Sequence, residues 1–289
     1  MAHIFLPDGR GLRLRLFPKP KMVARRKKAP PTSLALFDTP DDDDTAATPA
    51  ERLAARVTEL CLINRINVEI LNRMPDLGLR DWWLASGCLF QTVWNLRSGR
   101  AAERGILDYD VCYFSEDLSW EAEDDVIRTA AKLFADLPVN IQLRNQARVH
   151  VWFPEKFGVA YPPLTSASEG ILRFPCSPQT IGLKRSGEAF IDVYAPFGLG
   201  DVWDMVARPN RALPLAQVYA AKTARWQKEW DKIVFINGLI RTLSAARRYS
   251  LPPAMALLWA SRSATRMPPE MRGPDDGMRA GSAPPNGAS

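Results

Sequence analysis

The sequence predicts an α/β (α+β) domain, a small mixed sheet with helices along one side. Three observations point there. Stretches with apolar residues three and four apart alternate with short β-branched or aromatic runs, which are the periodicities of helix and strand. Two Ser/Thr-x-x-Glu boxes, Thr48-Pro49-Ala50-Glu51 and Ser166-Ala167-Ser168-Glu169, mark helix starts. A hydrophobic fraction of 46% with nine Trp is ample for a core in 289 residues.

Thr48 opens the ordered part. Pro49 stands at the first helical position, and Leu53, Val57, Leu60, Ile63 and Ile70 give the helix an apolar stripe that runs to Met74. Trp82-Trp83-Leu84-Ala85 reads as a buried strand, Ser86-Gly87 as a turn, and Cys88 to Leu96 as a short helix. A polar loop then leads to a strand over Ile106 to Phe114. Ser119 caps a helix that reaches about Asp136. Strands are expected near Val139 to Leu143, Arg148 to Phe153, Thr180 to Lys184 and Ala189 to Tyr194. Between these lies a short helix after Ser166. A short helix near Asp201 and a longer one over Leu213 to Lys232 complete the domain. Residues 1–47, basic and then acidic, read as a disordered tail, residues 48–240 as one domain, and residues 241–289 as a largely disordered extension rich in Pro, Gly, Ser and Arg.

Charge and cysteine usage exclude several classes. The formal charge of +6 is concentrated near the start, where Arg10, Arg13, Arg15, Lys19, Lys21 and Arg25 to Lys28 face one acid, Asp8. That segment reads first as a solvated tail, with an RNA-contacting arm as the alternative. No apolar run approaches the roughly 18 residues of a membrane span, so no membrane partner is expected. Cys61, Cys88, Cys112 and Cys176 lack metal-site spacing, and the chain has two His, which argues against zinc. Widely spaced single cysteines in apolar runs, with no secretory signal, suit a reducing compartment, the cytoplasm.

The chemistry-bearing stretch is Leu107-Asp108-Tyr109-Asp110-Val111. On a strand, residues two apart share a face, so Asp108 and Asp110 set two carboxylates side by side. In an apolar run such a like-charge pair calls for a neutralising cation, and oxygen ligands suit Mg2+. Ser86-Gly87, between a strand and a helix, offers a second element: exposed amides at a helix N-terminus, with the Ser86 hydroxyl beside them, make a phosphate seat, and Gly87 admits a close approach.

This order resembles the nucleotidyltransferase superfamily of the polymerase-beta type, in which a small-residue turn precedes Asp-x-Asp on the next strand. The pair here is Ser-Gly where that superfamily usually has Gly-Ser. A closer resemblance is to a mostly bacterial family of nucleotidyltransferases. It is carried by Trp82-Trp83-Leu84-Ala85-Ser86-Gly87, Val93-Trp94-Asn95, Asp108 to Phe114, Asn145 to His150, Ala195-Pro196-Phe197-Gly198-Leu199 and Lys222-Thr223-Ala224-Arg225-Trp226. The resemblance implies metal-dependent transfer of a nucleoside monophosphate from a nucleoside triphosphate to an acceptor. A catalytically degenerate nucleotide- or RNA-binding module is the rival reading.

The resemblance also implies a third carboxylate on a later strand. Gln142 stands where the next strand would supply it. Asp192 in Phe190-Ile191-Asp192-Val193 is the best remaining acid, and Glu155 is another. Asn145, Arg148 and His150 form a further polar cluster. Arg148 and His150 would share one strand face, with Arg148 on a triphosphate and His150 on substrate or held structurally. Lys222, Arg225, Lys228 and Lys232 fall at helical spacing. Lys222 is a candidate phosphate ligand, while Trp226 and Trp230 are expected to pack inward.

Overall fold

The computed structural model describes residues 3–5, 11–17, 47–188 and 190–236. Its sheet has seven strands in the order β1-β2-β7-β6-β3-β4-β5. These are β1 (His3–Phe5), β2 (Gly11–Phe17), β3 (Asp81–Ala85), β4 (Tyr109–Phe114), β5 (Ile141–Asn145), β6 (Gly182–Ser186) and β7 (Phe190–Tyr194). The β2–β7 and β4–β5 pairs are parallel and the others antiparallel, so the sheet is mixed, as expected. A separate parallel pair joins β8 (Val206–Ala207) to β9 (Val234–Phe235).

Two strands come from the segment expected to be disordered. Gly11-Leu12-Arg13-Leu14-Arg15-Leu16-Phe17 alternates apolar and basic residues with period two, and that local pattern prevails over the basic composition. Leu14 is buried, the Phe17 ring meets Trp83 edge-on at 5.2 Å, and Arg15 pairs with Asp192. The rest of that tail up to residue 46, and residues 237–289, lie outside the described residues.

Helix placement follows the caps. Thr48 and Glu51 form the reciprocal capping box of α1 (Pro49–Ile63). The expected single helix breaks at Asn64, whose backbone turns extended (ψ 108°) and whose Oδ1 accepts from Ile66 and Asn67, starting α2 (Arg65–Arg73). Next come α3 (Gly87–Arg97) and α4 (Trp120–Leu133), the latter capped by Ser119. Arg148 to Phe153 is not a strand. Asn145 Oδ1 accepts from Ala147 N, a 3-10 turn follows, and Val149 begins α5 (Val149–Phe157). Its Val149 and Phe153, four apart, pack with Tyr161, Leu164 and Leu213, so helical spacing wins over β-branched and aromatic propensity. Short helices α6 (Ala167–Leu172) and α7 (Gly200–Trp203) precede α8 (Ala216–Glu229).

Helices cover both faces of the sheet, not one. Trp82, Leu84, Val111, Tyr113, Leu143, Leu183, Ile191 and Val193 belong to the main core with residues of α1, α2, α3, α4 and α8. The opposite face presents Trp83, Ala85, Cys112 and Tyr194, which pack on Ala167 and Ile171 of α6. That second face carries the acids. Among the described residues, no helix is long and apolar enough to cross a membrane.

Candidate functional site

The β3–β4–β5 register builds the site. Ala85 pairs with Asp110, and Asp110 pairs with Gln142. Register partners share a face, so Asp110 and Gln142 emerge side by side next to the end of β3, where the chain turns into α3. Between the two acids Tyr109 points the other way. It is buried, and its hydroxyl accepts from Asn64 Nδ2 at 3.3 Å, which anchors the start of the strand in the core. Asp108 precedes the strand, and its Oδ1 lies 3.9 Å from where a Cβ on Gly87 would stand. Both acids therefore converge on the β3–α3 turn.

The electrostatics fit that convergence. Burial and then the Asp108 charge push Asp110 well above the usual carboxylate range, opposed by the positive charges of Lys222 and Arg144. Lys222, half-buried on α8, is held below its ordinary value by desolvation, while Asp110 and Asp108 pull it back up. Two carboxylates and one lysine thus share a poorly hydrated corner. The Lys222 placement follows from its helix: Tyr219 and Trp226, three before and four after it, are buried. Trp226 packs edge-on against Phe90 and Trp94 of α3, at 5.1 and 5.7 Å.

Ser86 holds the turn in a backbone unusual for a side chain, with φ 62° and ψ −119°. Such conformations cost about 1–3 kcal/mol and persist where the surroundings impose them. Its N–H donates to Ile181 O at 3.0 Å, which fixes the turn to the residue just before β6. The Ser86 hydroxyl is turned inward: the residue is buried, and Oγ accepts from Gln179 Nε2 at 3.4 Å. No side chain caps α3. A phosphate seat at this turn therefore rests on Gly87 and the first-turn amides, not on the serine hydroxyl. A Cβ on Gly87 would also stand 2.9 Å from Gln91 Nε2. Gln91, one helical turn on and buried, is a neighbour of the site that sequence reasoning missed. Its only signal is its place four residues after Gly87.

The other candidates lie elsewhere. Asp192 on β7 is separated from β4 by β6 and β3, which at ordinary strand spacing is roughly 14 Å. Its carboxylate is taken by Arg15, Nε to Oδ1 at 2.8 Å and Nη2 to Oδ2 at 2.9 Å, with Ser186 donating to Oδ2 as well. It is no third ligand of the pair. Glu155 is exposed on α5. Asn145 is structural: its Nδ2 donates to Ser115 O and Asp117 O, and its Oδ1 accepts from Ser115 N and Ala147 N. Arg148 is paired with the buried Glu123 and lies over the Trp120 ring at 5.4 Å. Glu123 Oε1 also accepts from Asn145 N at 2.8 Å. His150 donates from Nδ1 to Ala147 O at 2.7 Å and shares no strand face with Arg148. Asn95 was not foreseen as a positioning residue. Its Nδ2 reaches Ala102 O and Arg104 O while its Oδ1 accepts from Trp230 Nε1, tying the loop before Asp108 to α3 and α8.

The four cysteines are buried and free, and no cluster of three or more His, Cys, Asp or Glu is present among the described residues.

The chain is similar to an NMR structure described as a CCA-adding enzyme head domain, with a TM-score of 0.51 and 27% identity over 62% of this chain and 95% of that one. A family model described as nucleotidyltransferase matches residues 72–235, and the chain belongs to that family. None of the curated proteins matches it.

Proposed function

We propose that the protein transfers a nucleoside monophosphate from a nucleoside triphosphate to an acceptor, with Asp108 and Asp110 as ligands of Mg2+. The observation that carries this reading is the convergence of two carboxylates on the uncapped start of α3. The donor set fits the metal: two hard oxygen ligands sit together in a site whose burial disfavours bare charge. Bound there, Mg2+ would supply charge neutralisation for the phosphates and lower the barrier to displacement.

The chain's own residues do the remaining work. Gly87 and the first-turn amides seat the outer phosphates at the positive end of α3. Lys222 faces the carboxylates and pairs with phosphate oxygens when a triphosphate enters. The acceptor hydroxyl attacks the α-phosphorus, the α–β bridging bond breaks, and pyrophosphate leaves. The hydroxyl proton passes to solvent water as the bond to phosphorus forms. Buried free thiols suit work in a reducing compartment, the cytoplasm.

Gln142 favours a second reading. It occupies the position beside Asp110 where a third acid would strengthen metal binding, and an amide there fits a module that binds nucleotide or RNA without chemistry. The separating experiment incubates the protein with each triphosphate labelled on the α-phosphate, Mg2+ and a cell extract. A labelled product that vanishes with Asp110→Asn supports transfer. Mg2+-dependent triphosphate binding with no product supports the binding module.

A further inference from the structure

Gln91 is 4% exposed, yet its side-chain amide makes no hydrogen bond among the described residues. Burying an amide without a partner is costly, and native proteins almost always supply one. The other buried polar side chains of α3 have theirs: Thr92 donates to Cys88 O at 2.6 Å, and Asn95 reaches Ala102 O and Arg104 O. The position of the Gln91 amide accounts for the exception. Side chains on a helix lean toward its N-terminus, so residue 91 lies over residue 87, one turn earlier. Gly87 carries no Cβ, and the place a Cβ would take is 2.9 Å from Gln91 Nε2 and 3.9 Å from Asp108 Oδ1. The amide and the carboxylate thus border the same bare glycine, at the uncapped start of a helix of 11 residues.

The Ser86 hydroxyl, the side-chain donor that the sequence suggests for this turn, is buried and taken by Gln179 Nε2. Resting on the transfer reading above, we propose that Gln91 is the side-chain donor of the phosphate seat, its Nε2 donating to an oxygen of the triphosphate's outer phosphates. Ionised phosphate oxygens are acceptors, which match the N–H side of an amide. A neutral donor also brings no positive charge that would compete with a cation for Asp108 and Asp110. The amide is desolvated when the chain folds, so its hydrogen bond forms only when ligand enters, with little further cost in solvation or side-chain order. A glutamine kept for structure would have its partner inside the protein. The same contact explains the glycine: any side chain at position 87 would displace the amide from the seat.

The test uses inorganic tripolyphosphate with Mg2+, which offers the phosphates without base or ribose, beside the tightest binder among ATP, GTP, CTP and UTP. In calorimetric titrations Gln91→Met, close to glutamine in volume, should weaken both about tenfold or more. Gln91→Asn, one methylene shorter, should weaken both as well. Without ligand, Gln91→Met should melt no lower than the unmodified protein, because an apolar chain replaces an amide that lacks a partner. A lower melting point, or an unchanged tripolyphosphate affinity, would make Gln91 structural and overturn the proposal. A loss confined to the nucleotide would place the amide on base or ribose and overturn it too, as would an unmodified protein that binds no tripolyphosphate. The labelling experiment above separates the two readings. Gln91-dependent tripolyphosphate binding without labelled product would uphold this residue in the seat and defeat the transfer reading. Labelled product with tripolyphosphate binding indifferent to Gln91 would do the reverse.

Discussion

Asp110 and Gln142 are register partners on the parallel strands β4 and β5, so an acid and an amide project side by side from one face of the sheet. The amide spares the metal-free protein a third negative charge where burial and Asp108 already push Asp110 up. It also leaves one oxygen ligand neutral.

Gln142→Glu should therefore exchange stability for metal affinity. The metal-free protein should melt lower, by about 1 kcal/mol of like-charge repulsion, and Mg2+ should bind at least about tenfold more tightly through the added charge. Thermal melts over an Mg2+ titration read both effects. An unchanged Mg2+ affinity would show that Gln142 does not border the metal position.

The edge strand β2 makes a separate prediction. Asp192 is buried while its partner Arg15 is largely exposed. Arg15→Ala should cost about 1–2 kcal/mol, discounted for screening of the exposed guanidinium. Deleting residues 1–17 should cost more, because Leu14 and the β2–β7 ladder go with it. Urea unfolding measures both losses. A truncated protein as stable as the full chain would mean that the sheet ends at β7.

Much of this fold was legible because short-range chemistry set it. Thr48 with Glu51, Ser119 and Ser166 all cap the helices they announce, and Asp108-Tyr109-Asp110 shows its alternation directly. What stayed hidden depends on partners distant in sequence. Asp192 on its strand resembles a metal ligand until Arg15, 177 residues earlier, is seen to hold it. Arg148 resembles a phosphate ligand until Glu123 is found beside it.

The strained turn offers a third check. Ser86 sits at φ 62°, which glycine adopts freely and β-branched residues resist. Ser86→Gly should raise stability by about 1 kcal/mol, strain relief exceeding the loss of the long bond to Gln179. Ser86→Val should lower it by about 2 kcal/mol or more. Denaturant melts of the pair decide it. Equal stability of the two variants would mean that the turn stores no strain.

The raised pKa of Asp110 has a consequence for stability against pH. The group moves from 3.8 up to about 7, so between those values the folded state keeps a proton that the unfolded state has lost. In metal-free buffer, stability should fall as pH rises from about 4 to about 7. Asp110→Asn should flatten that decline, and saturating Mg2+ should do the same by stabilising the ionised form. A decline in the variant equal to that in the unmodified protein would place its origin elsewhere.

The central claim is that Asp108 and Asp110 together hold the metal on which triphosphate binding depends. Calorimetric titration of ATP, GTP, CTP and UTP, each with Mg2+ and with chelator, tests it most directly. At least one triphosphate should bind with Mg2+ and lose most of its affinity in chelator, and Asp108→Asn and Asp110→Asn should each abolish the metal-dependent part without unfolding the protein. Triphosphate binding equally tight in chelator, or Mg2+-dependent binding that survives both substitutions, would contradict the account.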